Sequence, residues 1–261
     1  MKRIILKQIK YALGLIAALA LPSCLQNETT ISLNKDGSGT IVDETTLGAQ
    51  MVQMMGQASI PGQADPLAEM FSEAKAKEKA KKFGKGVEYV KTEMIDKDGK
   101  KGARVHFKFA DINKISVNPG DAMSDMKGPD GAADEKDSVK FAYSNGKLKI
   151  IVPPADFEDM SMDDAGGNPG QEAMMMQMMA DMRLAIKLVI PGGIAKSNAS
   201  HVDGNAITLF DVQVGKMLAQ KEKLKKVSET AKTDIDAAKA AFAKIDGVKV
   251  ETKEDVTVSL K

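Results

Sequence analysis

The sequence predicts an α+β fold, with a largely antiparallel sheet built from hairpins and packed against helices. Two observations carry this. Glycine-containing turns at Asp36-Gly37, Asp98-Gly99, Asn145-Gly146 and Asp203-Gly204 each fall between short segments in which apolar residues alternate with polar ones. Such dipeptides are the strongest local hairpin signal, because both turn residues tolerate positive φ. Between the hairpins lie segments whose apolar residues recur every three or four positions, the helical period. Local hairpins interleaved with helices define the α+β class.

The first hairpin is expected to pair Thr29 to Leu33 with Thr40 to Thr45. The second pairs Val87 to Ile95 with Ala103 to Phe109, where Ala103, Val105, Phe107 and Phe109 alternate with Arg104, His106 and Lys108, so one face is core and the other wet. A third joins Val139, Phe141 and Tyr143 through Asn145-Gly146 to Leu148, Ile150 and Val152, and stops at Pro153-Pro154 because proline cannot donate to a ladder. A fourth joins Leu184, Ile186, Leu188 and Ile190 to Ile207 and Leu209 across a longer polar loop. Asp65 as cap and Pro66 as first residue open a helix that carries Leu67, Met70, Phe71 and Ala74 and ends at Phe83-Gly84. Ser228 is read as the start of a second helix through Ile235, Ala238, Phe242 and Ile245, with Gly247 as its stop. Val256, Val258 and Leu260 alternate as a terminal strand. Stretches 118–138 and 158–170, rich in Gly, Asp and Pro, read as loops.

The amino terminus speaks to location. Lys2, Arg3, Lys7 and Lys10 precede an apolar run from Ala12 to Leu21, which stops at Leu21-Pro22-Ser23-Cys24. A positive end, a short apolar segment and small residues before a cut fit an export signal. About 20 apolar residues are needed to span a bilayer and this run is roughly half that, so a membrane-spanning anchor is disfavoured. Cys24 is the only cysteine in the chain, and its position fits the site of acyl attachment in a bacterial lipoprotein. The expected organisation is a signal peptide over 1–23, an α+β domain over 24–212, and a helical segment with a strand over 213–261. The expected location is the cell envelope, with the protein held on a membrane by covalent lipid. Leu25, not aspartate, follows the cysteine, which favours the outer membrane where there are two. Loss of four basic residues with the signal turns the formal +1 into −3, so attraction to nucleic acid has no basis.

One region resembles a known family. Ile186-Lys187-Leu188-Val189-Ile190-Pro191-Gly192-Gly193-Ile194, then Ser197-Asn198, then Gly204-Asn205-Ala206-Ile207-Thr208-Leu209, resembles the LppM-like bacterial lipoprotein domain. Cys24 and the segment Ile31 to Val42 around Asp36-Gly37-Ser38-Gly39 look like the start of such proteins, so the resemblance spans most of 24–212. It implies a membrane-tethered α+β domain that contacts lipid or envelope components and has no established enzymatic chemistry. Leu209 stands where that family commonly has tryptophan, and the chain has none.

Catalytic raw material is scarce. A serine-based triad has only His106 and His201 to recruit; His106 shares a strand face with Arg104 and Lys108, and His201 lies in a polar loop beside Asn198, Ser200 and Asp203. No metal site is expected: no closely spaced ligand set suits zinc, and the acids at Asp156, Glu158, Asp159, Asp163 and Asp164 lack the spacing of a calcium loop. No phosphate-binding glycine pattern occurs, and no cofactor is expected. The chain is therefore expected to be noncatalytic.

Methionine is the one compositional excess, 17 residues, grouped at Met51, Met54 and Met55 and again over 174–182. On a helix, Met175, Met178, Met179 and Met182 share a side, and thioethers suit a packed core, an adaptable surface for lipid-like cargo, a partner interface or soft Cu(I), the last disfavoured because no histidine or cysteine lies near. Pro191, Gly192, Gly193 and Asn198 form either a tight strand exit or a ligand-facing loop. The expected partners are the membrane, through covalent lipid, and a lipid-like ligand or an envelope protein.

Overall fold

A computed structural model describes residues 25–57, 65–97, 99–121, 135–153 and 179–261. Cys24, Met175 and Met178, with the acidic stretch after Pro153, lie outside them. Thirteen strands among the described residues form two mostly antiparallel sheets with helices against them, an α+β fold.

The large sheet is built on two long hairpins. β1 (Leu25–Leu33) pairs β2 (Gly39–Leu47) along its whole length, and β3 (Glu88–Lys97) pairs β4 (Lys100–Phe109). The turn glycines Gly37 and Gly99 take φ of 87° and 73°. β2 joins the hairpins through β4. β8 (Arg183–Val189) lies beside β1 in the sheet's one parallel pairing, and β11 (Ala206–Gln213) returns antiparallel to β8. Short β10 (Val202–Asp203) and β12 (Val248–Val250) both pair with β11.

The small sheet runs β5-β6-β7-β13-β9. β5 is Ser116–Val117, β6 is Val139–Ser144 and β7 is Lys147–Ile151. Between β6 and β7, Asn145 and Gly146 both take positive φ, 50° and 74°, as the mirror-image turn requires. The terminal strand β13 (Asp255–Leu260) lies between β7 and β9 (Ile194–Ser197). The fourth hairpin is therefore more than a loop: after β8 the chain leaves the large sheet, contributes β9 to the small one, and returns as β10 and β11. The Pro191-Gly192-Gly193 turn makes that exit, with Gly193 at φ 92° and its N–H donating to the Ile190 carbonyl.

Helices cover the inner side. α1 spans Ala49–Gln57. The single helix expected from Pro66 to Phe83 is two, α2 (Pro66–Met70) and α3 (Glu73–Phe83), because Ser72 caps a new start by accepting from the Lys75 N–H at 3.3 Å. Near the carboxyl end α4 (Val214–Leu218) leads to α5 (Lys221–Ala231) and α6 (Ile235–Phe242). Ser228 is interior to α5 and starts nothing, since Leu224 and Val227 bury an apolar stripe across that segment. Asp234 is the cap of α6, accepting from the Ala237 N–H at 2.9 Å. Asp234→Ala is expected to cost about 1 kcal/mol, the usual worth of such a cap, read as a lower urea midpoint with unchanged slope.

Two apolar clusters result. One sits between the sheets and α3, with Ile31, Phe107, Ile150 and Leu188 almost fully buried. The other lies where β1 begins, among α1, α4, α5 and α6, and includes Leu25, Met51, Met182, Ala238 and Phe242.

Candidate functional site

The junction between the two clusters is polar. Inward-facing positions of β1 read Leu25, Asn27, Thr29, Ile31 and Leu33, and those of β2 read Gly39, Ile41, Asp43, Thr45 and Leu47. The middle of each strand thus turns polar residues into the interior. Asp43, 2% exposed, accepts from the Asn27 amide at 3.2 Å and the Thr29 hydroxyl at 2.8 Å on one oxygen. Its other oxygen meets the Lys79 ammonium from α3 at 2.7 Å. These groups line a narrow cleft of about 10 Å³, with Phe83, Leu184, Ile186 and Phe210 as apolar wall and Asn118 beside them. Three donors meet the carboxylate, so the arrangement holds a charge in place. Sequence reading missed this site. Its signal was the polar interruption of two apolar strand faces at the same register.

The outer face of the large sheet carries charge in neutralising pairs. Arg183 holds Asp211 with two bonds of 2.8 Å and reaches Glu28 at 3.2 Å, while Lys187 meets Glu28 at 2.8 Å. Partial burial works against ionising Glu28, yet Lys187 and Arg183 together keep its carboxyl below the ordinary carboxylate range. Glu28 stands directly opposite Glu44, and Glu44 is in turn neutralised by Arg104 at 2.5 Å. Each acid has its cation on the far side, which lets two like charges face each other.

The expected site residues fall as follows. Met182 does not share a helical face with Met179. It lies in the turn before β8, donating its N–H to the Met179 carbonyl and accepting from Val214, and it is 5% exposed within the second cluster. Met182 therefore offers no surface; core contacts cover its thioether. Met51 is buried in the same cluster, and Met55, Met70, Met179 and Met217 pack around it. Of the two methionine groups, Met51 and Met55 thus meet Met179 and Met182 in one cluster. Asn198 is likewise engaged: its carbonyl accepts from the Thr257 N–H at 2.7 Å and its amide donates to the Asp255 carbonyl at 3.4 Å, fastening the end of β9 to β13. Pro191, Gly192 and Gly193 make the strand exit, and Gly193 accepts from the Lys261 N–H.

Neither histidine meets a nucleophile. His106 Nε2 lies 3.2 Å from Glu93, and His201 Nε2 lies 3.2 Å from the Val250 carbonyl. Ser200 instead bonds Glu251 through both its N–H and its hydroxyl, each at 2.7 Å.

The outer face of the small sheet differs in kind. Register places Ser144, Lys147, Ser259 and Lys196 in one cross-strand row, Ala142, Lys149 and Thr257 in the next, and Lys140, Ile151 and Asp255 in the third. An open groove of about 500 Å³ runs over this face, bordered by Asn113 and Tyr143 and floored by Lys147, Lys149, Thr257 and Ser259. The Tyr143 ring itself lies on the face of β6 that Val139 and Phe141 share and packs against the first cluster. Asn113 accepts from the Tyr143 N–H at 2.6 Å, the Tyr143 hydroxyl donates to the Lys35 carbonyl at 2.7 Å, and Gly37 at the tip of the first hairpin lies against its ring.

No protein-family model matches the chain, and no curated protein does. The chain is similar to a solved structure, the folded domain of the Mycobacterium tuberculosis LppM protein determined by NMR. Identity is 11%, the TM-score is 0.29, and the match covers 74% of this chain and 85% of that one.

Proposed function

We propose that this chain is a noncatalytic envelope lipoprotein, tethered by acyl chains on Cys24, whose folded part is a binding or structural module. The observation that carries this is the junction at residue 24: a positive, apolar leader ends in the chain's one cysteine, and β1 begins at the next residue. An acylated Cys24 would hold the domain against the bilayer with no linker between. Among the described residues no helix is long and apolar enough to cross a membrane. Each buried methylene adds roughly 0.8 kcal/mol, and one chain alone is marginal, so firm anchoring needs several. The outer membrane is the proposed site where the cell has two, because Leu25 follows the cysteine.

A noncatalytic role is supported by where the reactive groups go. Asp43 is spent on Lys79, Asn27 and Thr29, and the histidines are spent on Glu93 and a backbone carbonyl. Surface recognition has more support than internal apolar cargo, since Met51 and Met182 are packed into the second cluster.

Cys24→Ser is expected to abolish incorporation of labelled fatty acid and to move the protein out of the membrane fraction. A variant that keeps both behaviours would overturn the tether.

A further inference from the structure

We propose that the groove on the outer face of the small sheet binds a carboxylate-bearing cell-wall polymer of the peptidoglycan class. The molecule has two solvent-facing sheet surfaces, and they treat charge in opposite ways. On the large sheet, Asp211, Arg183, Glu28, Lys187, Glu44 and Arg104 neutralise one another across strands. On the small sheet, among the described residues, Lys140, Lys147, Lys149 and Lys196 face one acid, Asp255, which pairs with Lys149 at 2.9 Å. Among the described residues of this face the cations thus outnumber the acids, and such a field attracts anions.

The chemistry of the face narrows the partner. Its cations are all lysine, compact hydrated charges that suit many dispersed anionic groups better than one bidentate contact. Between them stand Ser144, Ser259 and Thr257, short hydroxyl side chains that exchange hydrogen bonds with hydroxyls and amides. A carboxylate-rich glycopeptide offers those groups together.

Position chooses the polymer over the protein's own membrane, and this step rests on the tether proposed above. β1 runs nine residues from Leu25 to Leu33, roughly 30 Å at the usual rise per strand residue. The groove wall, through Tyr143, touches Lys35 and Gly37 at the far tip of that hairpin. A lipid on Cys24 and the cationic groove therefore sit at opposite ends of β1. Once the chain is anchored, the groove is held away from its own bilayer.

The test is cosedimentation of the detergent-solubilised full chain with purified cell-wall sacculi, beside vesicles containing anionic phospholipid. Lys147→Glu/Lys196→Glu is compared with Lys91→Glu/Lys108→Glu, which makes the same charge change among exposed lysines of the large sheet. Thermal unfolding is followed for both. Sacculus binding is expected to fall about tenfold or more in the first variant and little in the second, and to weaken as salt rises. Amidation of the sacculus carboxylates is expected to remove it. Equal losses in both variants, no loss in either, unaltered binding to amidated sacculi, or preference for the vesicles would overturn the proposal. Failure of the tether shows separately, in the fatty-acid label on Cys24.

Discussion

A chain ending at Glu254 is expected not to reach the native fold, although it lacks only seven residues of 261. The missing residues are β13, which lies between β7 and β9 in the small sheet, pairing Val256 with Ile150 and Val258 with Leu148 on one side and Val258 with Ser197 on the other. Val256 is fully buried and Val258 is 2% exposed. Burying each valine is worth about 1.5–3 kcal/mol, and each ladder bond on either side adds about 0.5–1.5 net. Together these approach the roughly 5–15 kcal/mol that holds a typical domain. Removal also splits the sheet and opens two new strand edges over the first cluster. The truncated chain should show no cooperative urea transition and rapid proteolysis within 139–197. A sharp transition at the original midpoint would mean that β13 does not complete this core.

The alternation of Val256, Val258 and Leu260 announces a strand, yet nothing local says which strands it meets. Hairpins were legible because turn and pairing lie together: Asn145-Gly146 supplies the positive φ values and the flanking apolar residues supply the register. The departure of β9 from its neighbours was not legible, because it depends on β13 arriving from the end of the chain. Capping chemistry was readable where one candidate stood alone, as at Asp65. It misled at Ser228, which lies inside α5, while the cap of the next helix is Asp234. Met182 had the spacing of a helical face, but spacing alone does not show that the chain has already left the helix and turned into the core by that residue.

The interior ion pair shows how much of a site a pattern can hold without revealing it. Along α3, Ala76, Ala80 and Phe83 form the buried stripe, and Lys79 occupies the remaining position of the same helical face. In a segment with lysine at 75, 77, 79, 81 and 82, the period alone selects 79. Its partner lies 36 residues earlier, in the polar gap of β2, so neither half is meaningful alone. The same gap places Thr29 directly opposite Asp43, where a two-residue slip of β1 would set Asn27 or Ile31 instead.

Lys79→Met is expected to destabilise the fold by about 3–5 kcal/mol, the usual cost of taking one partner from a buried ion pair. Asp43 would keep its bonds from Asn27 and Thr29 but lose its countercharge while its side chain stays 3% exposed. Asp43→Leu is expected to cost less, near 3 kcal/mol, because the Lys79 side chain retains 17% exposure and its ammonium is closer to water. The double variant Asp43→Leu/Lys79→Met should recover most of the loss, since an apolar pair of similar volume escapes the desolvation cost that both charges meet. Urea midpoints at constant slope, assembled into a double-mutant cycle, measure the coupling directly. Additive losses would show that the charges do not depend on each other across the junction. A recovered midpoint with faster or heterogeneous exchange of β1 and β2 amides would instead show that the pair sets strand register, because apolar replacements tolerate the slip that Thr29 opposite Asp43 forbids.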